Sequence, residues 1–190
     1  MSKRAVIFVD IQNDYFPGGK WTLHGMDAAA DNAAKLLESA RKKGDLVVHI
    51  RHEFPTTDAP FFSPGSEGAK INAKVQNLDN EIVVLKHHIN SYRETELKNI
   101  LDKHGIEEVV ICGAMSHMCI DAVTRASNDF GYKVNVVHDA CASRDLEMNN
   151  EIIPAQQVHA AFMSALGFGY ATLLSTEDYL REAAKPLPVK

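Results

Sequence analysis

Three residues of this chain have side chains suited to nucleophilic and acid–base chemistry, and each comes soon after an apolar run: Asp10, Lys86 and Cys119. Cys119 is the candidate nucleophile, because a helix is predicted to begin near it, and a helix N-terminus biases a thiol toward thiolate, below its free pKa of about 8.5. Asp10 is the candidate base. Lys86 would keep that carboxylate ionised, stabilise the thiolate and polarise a substrate group.

Each of the three residues, taken alone, also has an ordinary structural interpretation. Cys119 would be a small core residue, Lys86 a solvated lysine at the edge of a sheet, and Asp10 a cap on the following turn. The catalytic interpretation is favoured because all three fall at the carboxyl ends of predicted strands. In open α/β sheets, ligands bind at that edge.

Strands and helices alternate along the chain. Apolar runs of strand-forming residues predict six strands, at 5–9, 46–50, 82–85, 109–113, 133–137 and 170–174. Amphipathic patterns and stop signals predict helices at 27–43, 94–104, from Cys119 to 129, at 149–166 and at 176–184. This order predicts an α/β fold, a three-layer α/β/α sandwich around a six-stranded parallel sheet.

The longest irregular stretch lies between residues 52 and 77 and contains adjacent phenylalanines, Phe61 and Phe62. A loop of that length inside a compact domain is usually functional, as a lid or as a wall of a binding site. The alternative is a flap packed against the body of the protein or against another subunit. The two phenylalanines would leave more apolar surface in water than a free loop should.

Length and composition predict one domain. With 190 residues, 45% hydrophobic and 24% charged, the chain can bury a single sizeable core. We expect this domain to span residues 1–184 and to be followed by a disordered tail at 185–190, which carries two prolines.

Charge and cysteine content limit the partners and the compartment. The net charge is −5 and no basic run is present, which argues against nucleic acid and anionic membranes and favours a small-molecule substrate. Strand-forming residues begin at Ala5, leaving no room for a signal peptide, and no apolar run approaches the ~20 residues of a membrane span. The three cysteines do not form a disulfide framework, so we expect reduced thiols in a cytoplasmic protein.

Four segments together resemble the isochorismatase-like cysteine hydrolases, which include nicotinamidases, N-carbamoylsarcosine amidase and ureidoacrylate amidases. The segments lie in family order, and the similarity extends to about Tyr179; they are residues 9–16 (VDIQNDYF), 62–68 (FSPGSEG), 85–86 (LK) and 113–120 (GAMSHMCI). The resemblance implies the Rossmann-like fold of that family, with strand order 3-2-1-4-5-6.

The resemblance also implies roles for individual residues. Asp10, Lys86 and Cys119 correspond to the family's catalytic triad. A cis peptide would join Ala114 to Met115, and the backbone N–H groups of Met115 and Cys119 would form the oxyanion hole. The implied reaction is amide hydrolysis through a thioester. The strand order would set Lys86 about 9–10 Å from Asp10, two strands away, so the lysine side chain must lean inward.

Departures from the family pattern narrow the activity. Nicotinamidases carry an Asp-x-His pair and a further histidine that hold a metal, whereas the second strand here is followed by Arg51-His52-Glu53-Phe54. We therefore predict no metal and no cofactor. The vinyl-ether hydrolases for which the family is named generally lack the nucleophilic cysteine, so Cys119 indicates an amidase.

Further residues are assigned to the substrate pocket or to the structure. The pocket candidates are Gln12, Phe16, Phe61, Phe62 and His117. Ordinary hydrogen-bonding roles are expected for His52, His87 and His88, and structural roles for Cys112 and Cys141.

The expected function is hydrolysis of a C–N bond in a small amide or carbamoyl compound. Two alternatives stay open: an isochorismate hydrolase, and a non-catalytic module in which the thiol of Cys119 is oxidised reversibly or binds a ligand. We also expect a homo-oligomer, a dimer or tetramer, because family members commonly assemble. The substrate itself is not identified by the sequence.

Overall fold

A computed structural model describes residues 3–183 and shows a six-stranded parallel sheet. The strands lie in the order β3-β2-β1-β4-β5-β8. Their bounds are β1 (Arg4–Val9), β2 (Leu46–His52), β3 (Ile82–Lys86), β4 (Glu108–Ala114), β5 (Lys133–Ala142) and β8 (Thr172–Leu174). Every neighbouring pair is parallel. The tail predicted at 185–190 lies outside the described residues.

Helices cover both faces of the sheet. One face is covered by α1 (Met26–Lys43) and α5 (Thr176–Ala183), and the other by α2 (Leu97–Lys103), α3 (Asp121–Asp129) and α4 (Ala155–Gly169). The predicted three-layer α/β/α sandwich is therefore confirmed. Among residues 3–183, no helix is both long and apolar enough to cross a membrane.

Strand β1 lies at the centre of the sheet, between β2 and β4. Its residues 5–9 are almost completely buried, because a parallel strand with helices on both sides faces apolar surroundings in both directions. The continuous apolar run that predicts this strand reflects that environment. The residue after it, Asp10, is thereby placed at the middle of the carboxyl edge.

The region from Leu146 to Ile153 differs from the prediction. In place of the start of a helix it forms an antiparallel hairpin, β6 (Leu146–Met148) and β7 (Glu151–Ile153). The two turn residues, Asn149 and Asn150, have φ of 56° and 64°, a conformation that asparagine tolerates and that tight hairpins require. Helix α4 begins only at Ala155, directly after Pro154.

The long loop after β2 is packed against its own chain. Phe62 is fully buried and Phe61 is 8% exposed, and both rings contact the ring of Tyr15. Phe61 also stacks on Trp21, with ring centroids 4.6 Å apart. The expectation that these phenylalanines leave apolar surface in water is wrong, so they do not argue for a subunit interface.

Buried Asp14 pins this loop to the segment after β1. Its carboxylate accepts hydrogen bonds from the N–H groups of Phe62 (2.7 Å) and Lys20 (3.1 Å). Gly68 lies against the same carboxylate, so closely that a Cβ there would be 2.1 Å from an Asp14 oxygen. This contact explains why the chain has glycine at position 68.

Candidate active site

The carboxyl edge of the sheet brings together side chains from four neighbouring strands. In spatial order they are Lys86 at the end of β3, His52 at the end of β2, Asp10 after β1 and Cys119 in the turn after β4. Asp10 has φ of 51°, which is rare for a residue other than glycine and marks a strained backbone of the kind that clusters at functional sites. Its N–H still donates to the carbonyl of Ile50, at 3.0 Å, so the turn stays attached to the sheet.

Lys86 crosses the intervening strand to reach Asp10. Its Nζ lies 2.9 Å from Oδ2 of Asp10 and 3.2 Å from the sulfur of Cys119. Lys86 and Asp10 are fully buried, and Cys119 is 3% exposed. The long aliphatic stem of lysine covers the two-strand separation that the strand order imposes, and the ammonium bridges the carboxylate and the thiol.

The ammonium of Lys86 has further acceptors around it. Nδ1 of His52 is 2.9 Å away and the carbonyl oxygen of His88 is 3.1 Å away. Burial is the largest single influence and disfavours the charged form, yet Asp10 and Cys119 together outweigh it through their charges and hydrogen bonds, and the pKa of Lys86 is raised above its ordinary value. Lys86 is therefore a cation in the resting site, paired with the carboxylate of Asp10.

The thiol of Cys119 is neutral at rest. Burial and the nearby carboxylate of Asp10 raise the pKa of Cys119 to about 12, although Lys86 acts in the opposite direction. The prediction that a helix N-terminus would bias this thiol toward thiolate is therefore wrong. Desolvation of a sulfur with 3% exposure outweighs any stabilisation by helix N–H groups. Cys119 must lose its proton during the reaction, which requires a base nearby.

The turn that carries the nucleophile is tightly built. The Ala114–Met115 peptide is cis, and residues 116–120 form one wide helical turn that leads into α3. Gly113 has φ of 123°, and a Cβ there would lie 2.0 Å from the carbonyl oxygen of Val9. Only glycine lets β1 and β4 approach so closely at the strand ends, next to Asp10.

Two serine–histidine pairs support this turn from the β5 side. Ser116 is fully buried, and its hydroxyl lies 2.8 Å from Nδ1 of His159 and 3.1 Å from the carbonyl of Ala142. His117 makes a similar contact, with Nδ1 2.8 Å from the hydroxyl of Ser143. These contacts fix the backbone immediately before Cys119.

Asp10, His52 and Cys119, called here the three-residue cluster, are of types that bind metal ions. One ligand atom from each lies within 4.8 Å of the others. The ammonium of Lys86, however, is within 3.2 Å of all three, so a positive charge already occupies the centre of the cluster. A metal ion does not fit there while Lys86 holds this position.

The predicted pocket residues lie in different environments. Gln12 is a correction: it is fully buried and its amide is used on backbone groups, donating to the carbonyls of His52 and Ala69 and accepting from the N–H of His52, all at 2.8 Å. It therefore clamps the end of β2 and has no free N–H for a substrate. Phe16 is buried in the core under α1, with Phe61 and Phe62. His117 lies in the turn that carries Cys119, two residues before the nucleophile.

Sequence reasoning missed His52 and Arg144. His52 received only an ordinary role, although the implied strand order puts the end of β2 between Asp10 and Lys86. The guanidinium of Arg144 lies 4.1 Å above the ring of Trp21, and within residues 3–183 every other arginine has a carboxylate within 4.0 Å, whereas Arg144 has none. Burial is the larger cause that lowers the pKa of His117, and the charge of Arg144 is the second. Arg144 therefore lies near the turn that carries Cys119. No sequence pattern marks this arginine.

Comparisons with known proteins show which family the chain belongs to. A family model described as the isochorismatase domain matches residues 4–172. The uncharacterized isochorismatase family protein YddQ of Bacillus subtilis is 46% identical, over 93% of this chain and 98% of that protein. A crystal structure from Oleispira antarctica assigned to the isochorismatase hydrolases is 55% identical, with a TM-score of 0.91 over 94% of this chain and 96% of that one. The maleamate amidohydrolase of Pseudomonas putida is 30% identical, over 75% of this chain and 73% of that enzyme.

Proposed function

The chain belongs to the isochorismatase family, and from that membership we propose that it is a cysteine hydrolase that cleaves a C–N bond of a small amide or carbamoyl compound. The observation that carries the proposal is the ammonium of Lys86, held between the carboxylate of Asp10 and the thiol of Cys119. The relative named maleamate amidohydrolase supports an amide as the bond that is cleaved.

The reaction follows from the resting charges. Cys119 attacks the substrate carbonyl as Asp10 takes its proton, since a thiol with a raised pKa cannot ionise beforehand. The backbone N–H groups of Met115 and Cys119 hold the oxyanion, each worth about 3 kcal/mol in related chemistry. Asp10 then protonates the departing amine, and water cleaves the thioester with Asp10 again as base.

Lys86 keeps the charge balanced throughout this sequence. At rest it neutralises Asp10, and when the proton moves to that carboxylate the same ammonium faces the sulfur at 3.2 Å. A buried cation without an anion would be strongly destabilising. One lysine that touches both partners stays paired as negative charge passes from Asp10 to the attacking sulfur in the transition state, before that charge reaches the oxyanion.

The surroundings of the turn favour an anionic substrate. Arg144 has no carboxylate partner within the described chain, and its guanidinium carbon lies over the ring of Trp21, 4.1 Å from the centroid. A planar guanidinium with unused N–H groups binds carboxylates in a bidentate manner. We therefore expect the amide substrate to carry a carboxylate or a similar anionic group.

The two alternatives are less well supported. Hydrolysis of a vinyl ether such as isochorismate does not need a thiol, so activity that survives loss of Cys119 would indicate it. A redox module needs an accessible thiolate, whereas Cys119 is 3% exposed and its pKa is raised. Such a module would also have no need for the carboxylate of Asp10.

We also propose that the protein is a cytoplasmic homo-oligomer. β3 is an edge strand of the sheet, and two side chains on one of its faces, Val83 and Leu85, are 41% and 40% exposed. An uncovered apolar strand at the edge of a sheet favours pairing with a second copy. Sedimentation at micromolar concentration should show a dimer or tetramer, and charged substitutions at both positions should shift it toward monomer. A fully active wild-type monomer would contradict this assembly.

The decisive experiment looks for the acyl-enzyme. A panel of small amides, ureas and carbamoyl compounds is first screened for turnover. The reaction with a fast-acylating substrate is then quenched rapidly, and the protein is analysed by intact mass and peptide mapping. The adduct is expected on Cys119 alone, with Cys112 and Cys141 unmodified. An adduct elsewhere, or turnover while Cys119 stays free throughout, would exclude covalent catalysis by this cysteine.

A further inference from the structure

His52 is held more rigidly than a histidine with an ordinary role requires. The amide of Gln12 clamps its backbone N–H and its carbonyl, each at 2.8 Å. The residue lies opposite Lys86 in the β2–β3 register and is 3% exposed. Its ring is set against Phe54, with centroids 4.8 Å apart. Position and orientation of the imidazole are therefore fixed by backbone and packing.

The contact with Lys86 determines the tautomer of His52. A lysine ammonium has only protons to offer, so Nδ1 of His52, at 2.9 Å, must accept. The proton of the neutral ring is then on Nε2. Charged groups and burial keep the ring neutral: burial first and then Lys86, His87 and His88 lower the pKa of His52 to about 4, against the opposing effect of Asp10.

The Nε2–H of His52 is buried and has no hydrogen-bond partner within the described chain. Buried donors are almost always paired, so an orphan beside reactive groups indicates a missing ligand. Both oxygens of Asp10 likewise lack a hydrogen bond other than the ion pair with Lys86. His52 and Asp10 both contact the ammonium of Lys86, and one of the two imidazole nitrogens lies within 4.8 Å of a ligand atom of Asp10 and of Cys119, so the unpaired Nε2–H belongs to a ring at the edge of the same site.

We propose that His52 has two tasks in the site: its Nδ1 positions the ammonium of Lys86 against Asp10 and Cys119, and its Nε2–H binds a hydrogen-bond acceptor on the substrate. The second task rests on the proposed amide hydrolysis. It restricts substrates to amides or carbamoyl compounds with a further acceptor, such as a carbonyl oxygen, beside the group that is cleaved.

Two near-isosteric variants separate the tasks. His52→Asn keeps an acceptor close to the place of Nδ1 and removes the Nε2–H donor, whereas His52→Gln keeps a donor close to the place of Nε2 and removes the acceptor. His52→Asn should raise KM about tenfold, more than it lowers kcat, because one hydrogen bond to substrate is lost. His52→Gln should mainly lower kcat, because Lys86 loses its anchor.

A readout without substrate tests the positioning task. The alkylation rate of Cys119 by iodoacetamide, measured against pH, reports how well the ammonium stabilises the thiolate. It should fall about three- to tenfold in His52→Gln and change little in His52→Asn. His49→Asn is the matched control, since His49 is a buried histidine of the same strand that contacts Glu81 instead of the site.

Nitrogen NMR of the histidine-labelled wild-type protein tests the tautomer directly, whatever the reaction is. The expected signals are an acceptor-type Nδ1 and a protonated Nε2 for His52 at neutral pH. A protonated Nδ1, an imidazolium at neutral pH, or equal effects of the Asn and Gln variants on KM and alkylation would overturn the proposal. If no amide is hydrolysed but the tautomer and alkylation results hold, the proposed function fails while the positioning task stands.

Discussion

Replacing Asp10 by asparagine should abolish hydrolysis while making Cys119 a better nucleophile toward small reagents. The variant is nearly isosteric and removes one negative charge that lies no more than 4.8 Å from the sulfur. At an effective dielectric constant of about 20, a unit charge at that distance is worth about 3.5 kcal/mol. The pKa of Cys119 should therefore fall by about 2.5 from its wild-type value of about 12.

The thiolate also becomes the only anion available to the buried ammonium of Lys86, which favours the same change and should keep the variant folded. The assay is the pH dependence of iodoacetamide alkylation, mapped to Cys119, with the midpoint used because the absolute rate also depends on access. At pH 8 the thiolate population should rise about 300-fold. Asp58→Asn, at an exposed carboxylate, is the control. An unchanged or higher midpoint, or near-wild-type turnover by Asp10→Asn, would refute the assignment of Asp10 as base.

Three further predictions concern the metal, the substrate and the stability. Exhaustive chelation should leave wild-type activity unchanged, and activity that chelation removes and zinc restores would contradict this expectation. Lys86→Met removes the ammonium from the centre of the three-residue cluster, so this variant should gain stoichiometric Zn²⁺ binding, measured by calorimetry. Arg144→Ala should raise KM for an anionic amide about 10- to 100-fold but leave KM for its uncharged analogue within about twofold, and an equal effect on both would exclude a carboxylate site. Burial opposes ionisation of Glu81, but hydrogen bonds from Arg41 and the N–H of Leu78 lower its pKa from 4.5 to about 2. Because the folded-state pKa is depressed, the stabilisation is present above pH 4.5 and lost as the pH falls toward 2. The shift from 4.5 to about 2 corresponds to about 3–4 kcal/mol, which solvent screening reduces, so Glu81→Gln should cost about 2–3 kcal/mol at pH 7 in urea unfolding and almost nothing near pH 2.

The parts of the fold that could be predicted are those in which local pattern and tertiary environment agree. The run from Ala5 to Val9 is apolar because both faces of β1 are covered, so its pattern directly reports its place at the centre of the sheet. The hairpin around Asn149 could not be predicted, because its left-handed turn residues lie in a stretch that also has helix-forming residues. Strand β5 was predicted to end at Val137 but continues to Ala142, because its last residues pair with the end of β4.

The site was predictable in its membership and less so in its electrostatics. Strand ends placed Asp10, Lys86 and Cys119 at one edge, but the protonation state of Cys119 depends on burial, which a sequence does not give. Gln12 was a pocket candidate, yet its amide is saturated by backbone groups, which its sequence position two residues after Asp10 does not reveal. His52 was overlooked because its role depends on the lysine that crosses its strand.

The central pairing of β1 with β4 has a consequence for how the molecule folds. Arg4 pairs with Glu108, so the middle of the sheet joins segments roughly a hundred residues apart, and such long-range contacts form slowly because a long loop must close first. Asp10 and Cys119 flank this pairing. During synthesis on the ribosome, the first half of the protein cannot complete the centre of the sheet until β4 has emerged, and Lys86 stays in water until then. The hydrolytic centre should therefore be among the last regions to become protected from hydrogen exchange, and a chain that stops before β4 should not bury the lysine at all.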